Sequence, residues 1–350
     1  MHLGTTVSQE PPEVKGRAKE PTLAEVSAKD AKWDKHRGNT QTIGALYNRA
    51  ADSKLERLGE RMAECSGVLR FAQAVDMETG EVSIKLDRAA FCKVRHCPVC
   101  QWRRGMRNVA RFYERLPGLM AAYPKARWIF VTLTAKNPEM ADLRSTLATM
   151  NRAWQRLIER DSKQPGGFRW PAKGFIRTTE VTKGKDGKPH PHFHALLMVP
   201  SSYFKGGAYI KQELWADTWK DCLRADYTPL VHVQTVKAKS AKAKEAEASG
   251  DKTAALAAAV AETLKYAVKP EDMLTDAAFL FGITSQLHKL RFIATGGVLK
   301  DWLKEDASDK EMVKTGEEDE AKAEVQPDLP PMLFGWQPGE RKYRRVKGPQ

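Results

Sequence analysis

Residues 189 to 199, Pro-His-Pro-His-Phe-His-Ala-Leu-Leu-Met-Val, constrain the fold more tightly than any other stretch of this chain. Side chains alternate along a strand, so His192 and His194 share one face while Phe193, Ala195, Leu197 and Val199 take the other. The second face is ready for a core. The first carries two imidazoles side by side on a rigid support, which suits a metal ion better than it suits packing. A lone strand histidine is usually a partly buried, hydrogen-bonded residue, but here three of the eight histidines fall within five residues.

A chain of 350 residues has room for one main domain and an accessory module. Lys and Arg total 58 against 44 Asp and Glu, a formal net charge of +14, which favours an acidic partner such as nucleic acid. No run approaches the roughly 18 apolar residues of a membrane span, and the amino-terminal residues lack a charged-then-apolar signal layout. The expectation is a cytoplasmic protein with no membrane contact.

Five cysteines make a poor disulfide scaffold at this length and turn attention to metal. Cys92, Cys97 and Cys100 form C-x4-C-x2-C, with Cys97-Pro98-Val99-Cys100 as a tight knuckle, and Cys65 upstream supplies a fourth thiolate. His96 competes for that place. Its neighbour Cys97 is already assigned, and adjacent side chains seldom both reach one tetrahedral ion, so a structural zinc on four cysteines is preferred and Cys222 remains a buried free thiol. Beyond the knuckle, Arg103, Arg104, Arg107, Arg111 and Arg115 recur at helical spacing as a basic stripe, read as a phosphate-contacting surface rather than a solvated face. Trp102 is either a base-stacking ring or a core residue.

Along the chain, residues 1 to 40 contain few large apolar groups and are expected to be a mobile extension, with order beginning between Asn39 and Ala45. Residues 41 to 118 read as a helix and zinc module: helical periodicity over 43 to 63, strands over Val68 to Ala74 and Val82 to Leu86, then the cysteines and the basic helix. Residues 119 to 303 read as the main domain. Within it Arg127 to Thr134 is a central strand, 139 to 160 an amphipathic helix, Gly174 to Thr182 a strand, and Gly184 to Gly187 a turn into the histidine strand. A helix over 210 to 224 buries Trp215, Trp219 and Leu223, and a strand over 231 to 236 makes His232 a sheet residue rather than a ligand. Residues 237 to 252, rich in Ala, Lys and Glu, read as an exposed insert. From 304 to 350 an acidic and then basic tail is expected to be largely disordered, its basic end docking on DNA or a host protein or simply solvated.

Pairing across the Gly184 to Gly187 turn brings Glu180 towards His192 and His194, where two imidazoles and one carboxylate would leave coordination positions open. Register decides between that and an exposed strand-end Glu. The helix over 253 to 268 carries Glu262, Tyr266 and Lys269 at i, i+4 and i+7 on one face. Lys265 and Lys269 bias the Tyr266 phenol towards its anion, and a carboxylate one turn away can take or deliver a proton. Pro270 is read as the end of that helix.

Four elements in order now carry a resemblance: Cys65 with Phe91-Cys92 through Cys97-Pro-Val-Cys100-Gln-Trp-Arg-Arg104; Phe130-Val-Thr-Leu-Thr134; His190-Pro-His192-Phe-His194; and Glu262-Thr-Leu-Lys-Tyr266-Ala-Val-Lys269. Together, over roughly residues 60 to 295, they resemble the plasmid rolling-circle replication initiators of the HUH endonuclease superfamily, single-tyrosine class. The resemblance implies an α+β fold of ferredoxin-like or RRM-like type, with a central antiparallel sheet, flanking helices and an N-terminal zinc-binding module. It implies metal-dependent nicking and joining at a plasmid's double-strand origin, with Tyr266 forming a 5′-phosphotyrosine link and freeing a 3′-hydroxyl. A divalent ion, manganese or magnesium, would sit on His192, His194 and Glu180. Glu262 would activate water to end a round, with Lys269 catalytic and Lys265 on the DNA. Origin DNA, single-stranded or in a hairpin at the nick, would be the partner, with a host helicase and DNA polymerase. The rival readings are an HUH relaxase or single-strand transposase, and a non-catalytic zinc-containing DNA-binding regulator.

Overall fold

The computed structural model describes residues 19–160, 167–236, 256, 260, 263–264, 268–303, 312–313 and 324–347. The expected insert at 237 to 252, the acidic run Glu317 to Glu320, and Glu262, Lys265 and Tyr266 lie outside the described residues. The fold is α+β, with two antiparallel sheets and packed helices.

The larger sheet is built from β3 (Arg127–Thr134), β4 (Gly174–Lys183), β5 (Pro189–Val199), β6 (Val231–Thr235) and β7 (Ile293–Gly297), in the order β6-β3-β5-β4-β7. Strand β5 is therefore central, as its two-sided sequence demands. Its odd-numbered residues Phe193, Ala195, Leu197 and Val199 join one buried cluster with Leu147, Met150 and Trp154 of α5 (Leu143–Ile158) and with Trp215 and Trp219 of α6 (Gln212–Leu223). Its even-numbered residues Leu196 and Met198 join a second cluster with Ile176, with Phe112, Leu116 and Leu119 of α4 (Pro98–Ala122), and with Leu256, Val260 and Leu264. Each large buried side chain contributes about 1.5–3 kcal/mol of hydrophobic free energy. The polar even residues His192 and His194 lie where this second layer stops.

The smaller sheet corrects two expectations. Its order is β10-β9-β1-β2, from β1 (Val68–Val75), β2 (Val82–Ala89), β9 (Met332–Gln337) and β10 (Lys342–Val346), with β8 (Glu324–Val325) also on β1. The stretch read as a disordered tail thus supplies three strands, β8, β9 and β10, and it is held because Phe334 and Tyr343 bury completely against the module and the Tyr343 hydroxyl donates to the Ser66 carbonyl at 2.6 Å. Residues 19 to 40 are folded as well. Helix α1 (Leu23–Val26) opens with a reciprocal cap between Thr22 and Glu25, and α2 (Lys32–Asn48) buries Trp33 and Arg37 before the residues expected to start the order. Helix α3 (Ser53–Ala63) follows, capped by Asp52. Few apolar residues are present before residue 40, but the largest of them, Leu23 and Trp33, go into the core.

Two further points concern helix ends and boundaries. Pro270 also opens a new helix, α7 (Pro270–Leu274), as its first residue, with Lys269 at the cap position, while residues 265–267 before it lie outside the described residues. Helix α4 runs straight through the boundary expected at 118 and 119. Its first half joins the cysteine module, where Trp102 meets Trp33 edge-on at 4.8 Å, and its second half covers the larger sheet.

Candidate functional site

The hairpin β4–β5 sets the register that the sequence left open. Around the turn at Gly184 to Gly187, Glu180 pairs with His192 and Thr178 pairs with His194. Residues opposite each other in a ladder share a face, so Glu180, His192 and His194 point the same way. Glu180 Oε2 lies 3.0 Å from His192 Nε2 and 2.9 Å from His194 Nε2. Ligands on neighbouring positions of an octahedral ion with bonds of about 2.1 Å are about 3.0 Å apart, so the trio has the spacing of a coordination set.

The second nitrogen of each imidazole is also committed. His192 Nδ1 is 3.1 Å from the His190 carbonyl oxygen, and His194 Nδ1 is 3.2 Å from the Thr132 hydroxyl. A carbonyl only accepts, so His192 Nδ1 donates to it and Nε2 is the nitrogen that faces Glu180; His194 is oriented the same way, Nδ1 towards Thr132 and Nε2 towards Glu180. Burial alone would raise the Glu180 pKa. Hydrogen bonds from the two imidazoles, with their charge, outweigh that and hold it at about 2, so the carboxylate is charged at neutral pH. Two imidazole nitrogens and one carboxylate oxygen thus converge on one point, a group that could hold a metal ion.

Positioning residues outside the trio come from strand parity and from one turn. Thr132 sits on β3 opposite both His194 and His232, so it links the site to the sheet's next strand. His232 is a sheet residue as read, though exposed and on the face of the site. Asn137, just past the end of β3, places its Oδ1 2.6 Å from His190 Nδ1 and donates to Asp186 at 3.0 Å. It thereby ties the end of β3 to the turn that sets the β4–β5 register. Alternation along Thr132 and Thr134 was a signal for the first residue; nothing local marked the second.

Thr178, beside His194, donates from Oγ1 to the Thr263 carbonyl at 2.7 Å. Leu264 follows, its N–H bonded to Val260 O at 2.9 Å in helical fashion and its side chain 2% exposed. A β-carbon added to Gly105 of α4 would sit 3.2 Å from the Leu264 carbonyl oxygen. The absence of a side chain at Gly105 is what lets α4 approach so closely. Lys269 is exposed.

The four cysteines converge as expected. Cys65 Sγ is 3.6 Å from Cys97 Sγ and 3.7 Å from Cys100 Sγ, and Cys92 Sγ is 3.6 Å from Cys100 Sγ. A tetrahedron of thiolates at about 2.3 Å from zinc has edges of about 3.8 Å, so the donors fit a structural ion. His96 is excluded from this set, and Cys222 is free and buried. Burial opposes ionisation of Cys97, but sulfur contacts to Cys100, Cys65 and Cys92 and the Thr40 hydroxyl hold its pKa well below the usual thiol value.

The arginine stripe is only partly a surface. Arg103 is 2% exposed, donates to the Met312 carbonyl at 2.8 Å and to the Val313 carbonyl, and lies over the Trp33 and Trp102 rings. That is an internal strut rather than a phosphate contact, and it accounts for Trp102 as a core ring. Arg104 donates to the Lys93 carbonyl at 3.1 Å and Arg107 pairs with Glu114 at 2.7 Å; both, with Arg111, are half-buried. No helix among the described residues is long and apolar enough to cross a membrane.

The family model Rep_1, described as replication protein, matches residues 83–344. A Protein rep of Lactiplantibacillus plantarum is 34% identical over 296 residues, covering 79% of this chain and 88% of that one. A Protein rep of Bacillus amyloliquefaciens is 32% identical over 330 residues, covering 90% and 93%. A third, from Streptococcus pneumoniae serotype 2, is 32% identical over 250 residues, covering 70% and 71%. No solved structure matches the chain.

Proposed function

The chain belongs to the replication-protein family Rep_1, and as a plasmid replication initiator we propose that it nicks and rejoins one DNA strand at its origin through Tyr266, as an HUH-type endonuclease. The observation that carries this reading is the bond from Thr178 to the Thr263 carbonyl. Thr178 stands opposite His194, so the residues three positions ahead of Tyr266 are anchored on the histidine face rather than behind the sheet.

On this reading the Tyr266 phenolate attacks a phosphodiester, a phosphorus–oxygen bond to Tyr266 forms, and the bond to the 3′ oxygen breaks. The 3′ oxygen takes a proton and becomes the primer end. His192, His194 and Glu180 hold a divalent cation, manganese or magnesium, whose charge would offset the charge growing on the phosphate. Glu180 stays ionised for that purpose, and Thr132 and the His190 carbonyl fix both imidazoles in the ligating tautomer. Lys265 and Lys269, close to Tyr266 in sequence, would favour the phenol's anion. Glu262, four residues before Tyr266 in sequence, takes the proton from water that releases the protein at the end of a round. Arg104, Arg107 and Arg111 remain the proposed phosphate contacts. Zinc on the four cysteines holds the module that presents them, and host helicase and polymerase would use the freed 3′ end.

Supercoiled plasmid carrying the chain's own origin, incubated with manganese or magnesium, tests this directly. The expected product is nicked circle plus a detergent-stable protein–DNA adduct. Tyr266→Phe should abolish the adduct and leave DNA binding intact; persistence of the adduct in that variant would remove Tyr266 from the chemistry. Binding without nicking by the unaltered protein would leave a DNA-binding regulator in its place.

A further inference from the structure

The reverse face of the catalytic sheet holds a charge that the nicking chemistry does not use. Arg177 lies on β4 between Ile176 and Thr178, so its side chain leaves the sheet on the face opposite the histidines. It is 4% exposed, its guanidinium lies 3.9 Å from the Phe193 ring centroid, and Nη1 donates to Asn151 Oδ1 at 2.8 Å. Its Nε is buried without a hydrogen-bond partner, and no carboxylate among the described residues pairs with it. Burial, with nearby Arg291 adding to it, lowers the Arg177 pKa to about 9, which still leaves the group charged at neutral pH.

Buried charges are normally paired, and an unpaired one is costly. Stacking on Phe193 and Trp154 offsets part of that cost. It does not explain why a second cation faces the same space. Arg177 and Arg291 both line a cavity of about 270 Å³, together with Asn151, Gln155, Thr179 and Phe292. With a water occupying about 30 Å³, that is room for one small oxyanion and several waters. The lining supplies guanidinium, amide and hydroxyl donors and no acidic side chain. Arg291 is exposed and stands at the mouth, and its Nε donates to Ile293 O at 2.9 Å, which fixes the side chain in place.

We propose that this cavity is a binding site for a phosphate group, held between Arg177 inside and Arg291 at the rim, on the face of the sheet opposite the nicking site. Planar guanidinium forks match phosphate oxygens, and the Gln155 amide and the Thr179 hydroxyl add donors for an anion, while the Asn151 amide is engaged with Arg177 and with the Leu147 carbonyl. A free small phosphate fits the enclosed volume; a backbone phosphate of bound DNA offers the same chemistry. The inference does not depend on the role of Tyr266.

The test uses the full-length protein and two variants, Arg291→Gln and Arg177→Met. Melting temperatures are measured in inorganic phosphate and in chloride at matched ionic strength and pH. Phosphate strengthens burial in any protein, so the readout is the difference between the unaltered protein and each variant. A saturable rise of about 3 °C or more that both variants lack supports a free phosphate as the occupant. Arg291→Gln alters an exposed residue, so it decides the matter even if Arg177→Met does not fold. In the second arm, binding of a single-stranded oligonucleotide is followed against salt. A logarithmic slope smaller by about one in Arg291→Gln, with no special response to free phosphate, assigns the site to the DNA backbone. Equal melting shifts and equal salt slopes in all three proteins overturn the proposal.

Discussion

The two constellations of metal-type ligands in this chain differ in the number, softness and access of their donors. The cysteine cluster has four soft donors, three of them buried, with sulfurs at the edges of a tetrahedron. The trio of Glu180, His192 and His194 has three harder donors at the rim of a packed layer. Four ligands close a tetrahedral site and leave nothing for a substrate. Three leave positions for phosphate oxygens or water. The donor count of the two groups thus suits the first to a closed structural ion and the second to an open one.

The largest expected effect lies on the closed side. One zinc per chain should be found by elemental analysis, and Cys97→Ala should remove it along with most soluble protein. Structural zinc is worth about 10–16 kcal/mol in small domains, comparable with the whole stability of a domain. A Cys97→Ala protein melting at the unaltered temperature would erase the contrast. On the open side, His194→Ala should reduce nicking by about 10³-fold, since several kcal/mol of charge stabilisation go with the ion, while its melting temperature moves by only about 2–4 °C. Comparable losses of stability and nicking would make the trio structural. Thr132→Val sharpens the point: the His194 ring loses its Nδ1 partner, and manganese titration of nicking should show affinity weaker by about 10-fold or more. The smallest effect belongs to the element that both regions share. Gly105→Val should cost about 1–3 kcal/mol, read from thermal melts, by pushing α4 off the Leu264 carbonyl. If it is neutral, α4 does not couple the two.

Much of this was legible because it is local. Strands β3, β4 and β5 follow from alternation and turn residues, and the glycines at 184 and 187 announce the hairpin that sets Glu180 opposite His192. The cysteine spacing similarly announces its own convergence. What stayed hidden depends on partners far away in sequence. Arg103 reads as one of five stripe arginines, and only the carbonyl of Met312, 209 residues later, reveals it as internal. Tyr343 reads as part of a basic tail until its hydroxyl meets Ser66, 277 residues earlier. Periodicity reports which face a side chain takes, never which distant segment covers it. Arg177 is the sharpest example: alternation puts it on the core face of β4, where a cation is not expected, and only the packed structure shows the cavity beside it.

The partnership between the early and late segments bears on synthesis. By the time a ribosome has translated residue 300, the cysteines, both histidines and Glu180 have all been made. Strands β9 and β10 have not, and β1 still lacks the neighbour it pairs with along Val68 to Phe71. The cysteine module must therefore wait with one sheet edge unfilled until residues 332–346 emerge, so an aborted or early-terminated translation product would carry the cysteines, Glu180 and both histidines on an unfinished scaffold.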